Sequence, residues 1–145
     1  RKPGEGIDVP SLYDPQMNPN GWVTTEEWIR DAKGVWTDIR ETDVLTGWQM
    51  ARESDSEKHV CPLQLEVIRR CVRLYSNPGG LVMDPFSGIG STGWVAIEQG
   101  RNYVGFELKE SYFGLGNRNL DDALSKRNQA QEELPLFSAL VAAAS

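Results

Sequence analysis

Helical and strand-like apolar patterns alternate through the second half of the chain. Apolar side chains recur at the spacing of one helix face at Leu65, Ile68, Val72 and Tyr75. A turn of Asn, Pro and two glycines at 77–80 ends this helix. An apolar strand at 81–83, a glycine-rich turn, a helix over 94–99 that Gly100 ends, and a second strand at 103–106 follow. This order predicts a βαβ unit with short connections.

The flanking regions are less regular. Residues 1–21 are rich in Pro, Gly, Asn and Asp, which predicts irregular backbone. Thr24 or Thr25 then caps a short helix that Gly34 closes, and 35–39 is a strand candidate. A last helix begins near Ser111 and continues through LDDALSKR. We therefore expect a lead-in over 1–33, a core over 34–128, and a tail over 129–145 that docks weakly or frays.

The turn between the two strands carries the candidate chemistry. It reads VMDPFSGIGSTG, and its glycines Gly88, Gly90 and Gly93 have the spacing G-x-G-x-x-G. Glu107 ends the next strand, where a carboxylate can accept both hydroxyls of a ribose. No Lys follows the glycines, which excludes a phosphate-binding P-loop. The pattern indicates a nucleotide-like cofactor, either NAD or S-adenosylmethionine.

Asp84, at the end of the first strand, discriminates between these cofactors. A dinucleotide places two phosphates at such a turn, and a carboxylate aimed there would repel them. S-adenosylmethionine carries an ammonium and a sulfonium group, which a carboxylate attracts. Asp84 therefore favours the methyl donor, with a dinucleotide site, or a purely local role for Asp84 as a loop cap, as the alternatives.

Composition sets the class of protein. The 145 residues are 39% hydrophobic and 25% charged, as in a globular domain. The net charge of -6 argues against a surface that is basic throughout. Cys61 and Cys71 form no C-x-x-C pair, so no metal site is expected. Since no apolar run approaches the ~20 residues of a membrane span, we expect a cytoplasmic protein with no membrane partner.

Arginines cluster on the helix that precedes the first strand. Arg69, Arg70 and Arg73 lie on or near its polar faces. A solvated basic face is the simpler interpretation, and contact with DNA phosphates is the alternative.

These residues also resemble a known family. DPFSGIGSTG followed by YVGFELKESYF is similar to the cofactor motifs of the amino DNA methyltransferases, which modify adenine N6 or cytosine N4. The segments EKHVCPLQLEVIRRCVRLYSNPGGLVMDPF and GVWTDIRETDVLTGWQMAR are similar to the stretches before those motifs, the latter in phage and restriction-system members. The likeness covers roughly residues 18–118.

The resemblance implies an α/β fold, a partial Rossmann-like methyltransferase domain with a mainly parallel sheet and flanking helices. It implies S-adenosylmethionine as cofactor, with Glu107 on the ribose and Asp84, Gly88 and Gly90 around the methionine part. Phe86 and Leu108 would pack near the adenine or methionine groups, and His59 has an equally good structural interpretation. The expected cofactor-binding residues are His59, Pro62, Gln64, Asp84, Pro85, Phe86, Gly88, Gly90, Glu107 and Leu108.

The chain departs from the family in its catalytic motif. The family's [DNS]-P-P-[YFW] tetrapeptide does not occur, and the nearest string, beginning Asp14-Pro15, lacks the second Pro and the aromatic residue. We therefore expect a carboxyl-terminal, cofactor-binding portion that is inactive alone and meets DNA through the complete enzyme. Its expected partner is the missing catalytic half or a second copy. A non-catalytic binding module and an NAD-binding domain are the alternative functions.

Overall fold

The computed structural model describes residues 23–47 and 63–143, with side chains placed through residue 132. The chain divides into two units, Arg1–Thr37 and Asp38–Ser145. His59, Pro62, Asp14 and Pro15 lie outside the described residues. No helix within the described part of the chain combines the length and apolarity needed to span a membrane.

The described part of the first unit contains helix α1, Thr25–Asp31. Thr24 caps it as predicted, because the Thr24 hydroxyl accepts from the Glu27 amide and the Glu27 carboxylate accepts from the Thr24 amide. The helix ends before Gly34. The predicted strand at 35–39 is wrong: these residues form no strand, Val35 is exposed, and the Trp36 indole donates to the Asp31 carbonyl at 3.0 Å.

The second unit is built as a βαβ unit between two helices. Its elements are α2 (Leu65–Tyr75), β1 (Leu81–Asp84), α3 (Ser91–Glu98), β2 (Asn102–Gly105) and α4 (Glu110–Ala143). The strands pair in parallel, with Leu81 opposite Asn102 and Asp84 opposite Gly105. This arrangement confirms the α/β class. The last helix is longer than predicted, since it continues past LDDALSKR to Ala143.

Helix α3 lies at the centre of the second unit. It contacts α2, α4 and both strands, and Val95 and Ala96 on it have no exposed surface. Among the described residues, seven buried side chains form one hydrophobic cluster, namely Leu45, Leu65, Ile68, Val72, Ile89, Val95 and Leu115. Ile89 belongs to the turn between β1 and α3, so the turn is anchored in the core.

Candidate functional site

The site begins where β1 ends. Asp84 is the last strand residue, and its Oδ1 accepts from the Phe86 amide at 2.9 Å. This short-range bond starts the turn. The Asp84 Oδ2 has no protein hydrogen bond among the described residues, and the side chain is half-buried. One carboxylate oxygen is therefore left for another partner.

The turn after Asp84 depends on glycine at two positions. Gly88 and Gly90 have φ angles of +55° and +85°, in the left-handed region that other residues rarely adopt. The Gly90 amide donates to the Ser87 carbonyl at 2.8 Å, and the Ser87 amide donates to the Phe106 carbonyl at 2.9 Å. The second bond extends the β1–β2 pairing into the turn and holds it against the end of β2.

Gly93, the third glycine of the spacing, lies at a close contact between three elements. A Cβ on Gly93 would lie 2.5 Å from both the Tyr103 ring and a methyl of Leu120. This glycine therefore lets α3 pack closely against β2 and α4.

Glu107 joins the two strand ends. Its Oε2 accepts from the Gly88 amide at 2.8 Å, and its Oε1 accepts from the Lys109 amide at 2.9 Å. A carboxylate oxygen can accept two hydrogen bonds, so each oxygen keeps one free position. Glu107 thus holds the glycine turn and retains the capacity to bind hydroxyl groups.

Helix α4 supports the turn from its other side. A Cβ on Gly116 would lie 3.3 Å from the Gly88 carbonyl oxygen, so the helix backbone packs directly against the turn. The Asn119 side chain, one helical turn later, donates to the Ile89 carbonyl at 2.8 Å. Two residues of α4 therefore define where the glycine turn lies.

A cavity of about 240 Å³ lies between the turn, the end of β2 and α4. Tyr103 on its wall shares a 2.8 Å hydrogen bond with the Ser87 hydroxyl. Burial, reinforced by the negative charge of Asp84, raises the pKa of Tyr103 above 10.0, although the bond to Ser87 opposes this shift. The cavity is lined by Ser87, Gly88, Tyr103, Val104, Gly105, Glu107, Phe113, Gly116, Asn117 and Leu120.

The structure brings together four of the predicted site residues, namely Asp84, Gly88, Gly90 and Glu107. Pro85 is exposed in the same turn. Phe86 is 87% exposed and Leu108 is fully exposed, so both apolar side chains are available at this edge. Gln64 is the N-cap residue of α2, where its side chain makes no capping bond, and it does not line the cavity.

Two arginines of α2, Arg69 and Arg70, have carboxylate partners. Arg70 is 2% exposed and bonds Asp38 and Glu66, so neither a solvated face nor a phosphate contact describes it. The hydrogen bond to Asp38 is the main cause that raises the Arg70 pKa, against the effect of burial. Arg69 bonds Glu98 and Asp43, and Arg73 also has an interaction within the protein.

Sequence reasoning missed the supporting residues of the site, which are Ser87, Tyr103, Gly116 and Asn119. A signal existed for Gly116, because a glycine inside a helical pattern often marks close packing. No local signal identified Asn119, since its partner is 30 residues away.

Comparison with known proteins agrees with this geometry. A family model described as DNA methylase, of the N6/N4 methyltransferase type, matches residues 8–118. DNA adenine methyltransferase YhdJ of Escherichia coli is 40% identical over 67 residues, which are 46% of this chain and 23% of YhdJ. Type II methyltransferase M.SmaI of Serratia marcescens is 39% identical over 99 residues, which are 68% of this chain and 32% of M.SmaI.

A solved structure has a similar fold. TTHA0409 of Thermus thermophilus, assigned as a DNA modification methylase and complexed with S-adenosyl-L-methionine, matches with a TM-score of 0.55 at 27% identity. The match covers 86% of this chain and 41% of that one. The chain thus spans less than half the length of these relatives. On the family match over residues 8–118, this chain belongs to the N6/N4 DNA methyltransferases.

Proposed function

We propose that this chain carries the S-adenosylmethionine-binding part of a DNA methyltransferase that modifies the exocyclic amine of adenine (N6) or cytosine (N4). The observation that carries this proposal is the placement of two carboxylates, Asp84 and Glu107, on either side of one preformed glycine turn. The complex of the Thermus thermophilus relative with the same cofactor supports it.

The charge at this edge suits a cationic cofactor. Asp84 has one carboxylate oxygen without a protein hydrogen bond among the described residues, and this oxygen would accept from the cofactor's ammonium group. The same negative charge opposes the phosphates of a dinucleotide. The NAD alternative is therefore the weaker one.

Glu107 would hold the ribose. Its two oxygens already accept one amide each, and their remaining positions suit the two ribose hydroxyls. Phe86 lies two residues after Asp84, and Leu108 directly follows Glu107. Both are exposed apolar side chains, and they would cover the adenine. Gly88 and Gly90 keep side chains out of the turn. The other candidate cofactor-binding residues rest on the family resemblance alone, namely His59, Pro62, Gln64 and Pro85.

Methyl transfer would need further residues. The tetrapeptide that grips the target amine in the family does not occur in this sequence, and the nearest string, beginning Asp14-Pro15, lacks its second Pro and its aromatic residue. Leu81, Met83 and Val104 are exposed on the sheet face opposite to Val82, which packs on the core. Parallel sheets are normally covered on both faces, so this bare face supports a partner, either a catalytic half or a second copy. The assembly of this chain with its partner would bind the DNA.

Calorimetric titration with S-adenosylhomocysteine tests the proposal. We expect binding by the wild-type chain and a loss of affinity of about 10- to 150-fold in Asp84→Asn, which weakens a charge-assisted bond of about 1.5–3 kcal/mol. Asp121→Asn, an exposed charge change on α4, serves as the control and should bind as wild type. A folded chain that binds NADH and not S-adenosylhomocysteine would refute the assignment.

A methylation assay on mixed DNA tests the other half of the proposal. We expect no methyl transfer by this chain alone, because the base-gripping motif is missing. Transfer by the isolated chain would show that other residues perform this role and would overturn the proposed need for a partner. Binding of S-adenosylhomocysteine without methyl transfer agrees with a chain that carries only the cofactor-binding part of the enzyme.

A further inference from the structure

Asn119 links helix α4 to the middle of the glycine turn. Its Nδ2 donates to the Ile89 carbonyl at 2.8 Å, across 30 residues of chain. Ile89 itself is only 7% exposed, so its carbonyl is near the core. A carbonyl in such a place needs a partner, and Asn119 supplies it.

The bond restrains one particular peptide group. The Ile89–Gly90 peptide has its carbonyl held by Asn119 and its N–H held by the Ser87 carbonyl at 2.8 Å. Gly88 and Gly90 lie on either side of Ile89, and glycine permits many backbone conformations. Backbone sterics alone therefore leave this peptide several orientations. The side-chain bond selects one.

We propose that Asn119 is a positioning residue for the cofactor site, which it serves by fixing the Ile89–Gly90 peptide and hence the shape of the glycine turn. This inference rests on the proposed function. Asn119 is not among the residues that line the cavity, so its effect on binding is transmitted through the turn. Gly116, one turn earlier on α4, brings the helix close enough for the bond to form.

A hydrogen bond that only joins two elements would stabilise the fold without changing cofactor affinity. The chain contains such a bond, which can be compared with that of Asn119. The Asn102 Nδ2 donates to the Gly79 carbonyl at 2.7 Å. Gly79 also lies in a glycine turn and has a φ of +73°. Asn102 is the first residue of β2, at the opposite end of the strands from Glu107. The two asparagines make the same kind of bond, and only one bond involves the cofactor turn.

The experiment compares Asn119→Ala with Asn102→Ala in the full chain. Calorimetric titration with S-adenosylhomocysteine gives the affinity, and urea unfolding without cofactor gives the stability. We expect both variants to lose stability, with an affinity loss of about 10-fold for Asn119→Ala and less than about 2-fold for Asn102→Ala. Unchanged affinity in Asn119→Ala, or equal losses in the two variants, would overturn the proposal.

Two additions keep the result decisive. Asn119→Leu retains most of the side-chain volume without the donor, and it replaces Asn119→Ala if the latter fails to fold. Amide hydrogen exchange of Gly90, measured without cofactor, should accelerate in the Asn119 variant and not in Asn102→Ala. If the wild-type chain binds no S-adenosylhomocysteine, the proposed function fails, and unchanged Gly90 exchange would then separately refute the role of Asn119.

Discussion

The two ends of the parallel strands are both tied to turns by polar side chains, but with opposite chemistry. At the amino end, Arg101 donates to the carbonyls of Ser76 and Gln99, and Asn102 donates to that of Gly79. At the carboxyl end, Glu107 instead accepts, from the amides of Gly88 and Lys109. One end presents donors to carbonyls, and the other presents acceptors to amides.

The difference lies in what remains after the fold has formed. Arg101 is 7% exposed, and each of its three nitrogens has a partner within the protein. Burial, together with the charge of Arg73, lowers the pKa of Arg101. The carboxyl end retains free acceptor positions on Asp84 and Glu107 and two exposed apolar side chains. Only the carboxyl end is therefore equipped for a cationic, hydroxyl-bearing ligand.

The largest expected effect comes from removing acceptor capacity at the carboxyl end. Glu107→Gln replaces one accepting oxygen with an N–H₂ group, which must face the amide of either Gly88 or Lys109. We expect the free energy of unfolding without cofactor to fall by about 2 kcal/mol and the affinity for S-adenosylhomocysteine to fall about 100-fold. Urea unfolding and calorimetric titration measure the two quantities.

The matched control is Glu110→Gln, which removes the same charge from the exposed first residue of α4. Loss of a favourable helix-dipole interaction there costs about 0.3–1 kcal/mol of stability. The affinity of Glu110→Gln for S-adenosylhomocysteine should stay within a few-fold of wild type. If Glu107→Gln changes stability and affinity no more than Glu110→Gln does, the carboxyl end of the strands has no special acceptor capacity for the cofactor.

The elements of the fold were largely predictable, because their signals are local. The capping box at Thr24 and the helical spacing of α2 each depend on residues within a few positions of one another. The false strand at 35–39 shows the limit of such signals. A strand requires a pairing partner, and β-propensity in Val35 and Ile39 cannot supply one.

The site divides in the same way between local and distant information. Asp84 and Glu107 stood out because each follows a strand in a recognisable order. The partners of Asn119 and Arg70 lie 30 and 32 residues away, and no periodic pattern encodes those distances. Close packing of α4 on the turn is a tertiary property, so it became visible only in the structure.

Two glycines of α4 allow a finer comparison of packing at the carboxyl end. A Cβ at Gly114 would meet open space, so Gly114→Ala should raise the free energy of unfolding by about 0.5–1 kcal/mol through the helix preference of Ala. Gly116→Ala gains the same preference but places a Cβ 3.3 Å from the Gly88 carbonyl oxygen. We expect a net loss of about 1 kcal/mol and weaker cofactor binding.

Urea unfolding of both variants measures the difference directly. Because the two substitutions share their helix propensity, the difference between them isolates the contact of α4 with the glycine turn. Equal stabilisation by Gly114→Ala and Gly116→Ala would mean that the glycine turn moves away from α4 without cost. Helix α4 would then not fix the position of the turn.

The pH-dependent effect concerns Tyr103, whose hydroxyl bonds Ser87 at the carboxyl end. Burial raises its pKa above 10.0 in the folded chain. Above pH 10.0 the unfolded tyrosine loses its proton first, so the wild type should lose stability as the pH rises towards the folded pKa. Tyr103→Phe removes this dependence and costs about 1 kcal/mol at neutral pH through the lost hydrogen bond.

The stability advantage of the wild type over Tyr103→Phe should therefore be full below pH 10.0 and shrink above it. Urea unfolding followed by circular dichroism at a series of pH values measures this difference, in which the titration of all other shared groups largely cancels. A difference that stays constant through alkaline pH would show that Tyr103 titrates alike in the folded and unfolded chains. The hydroxyl would then contribute only its bond to Ser87, and the upward shift of the Tyr103 pKa by burial would be wrong.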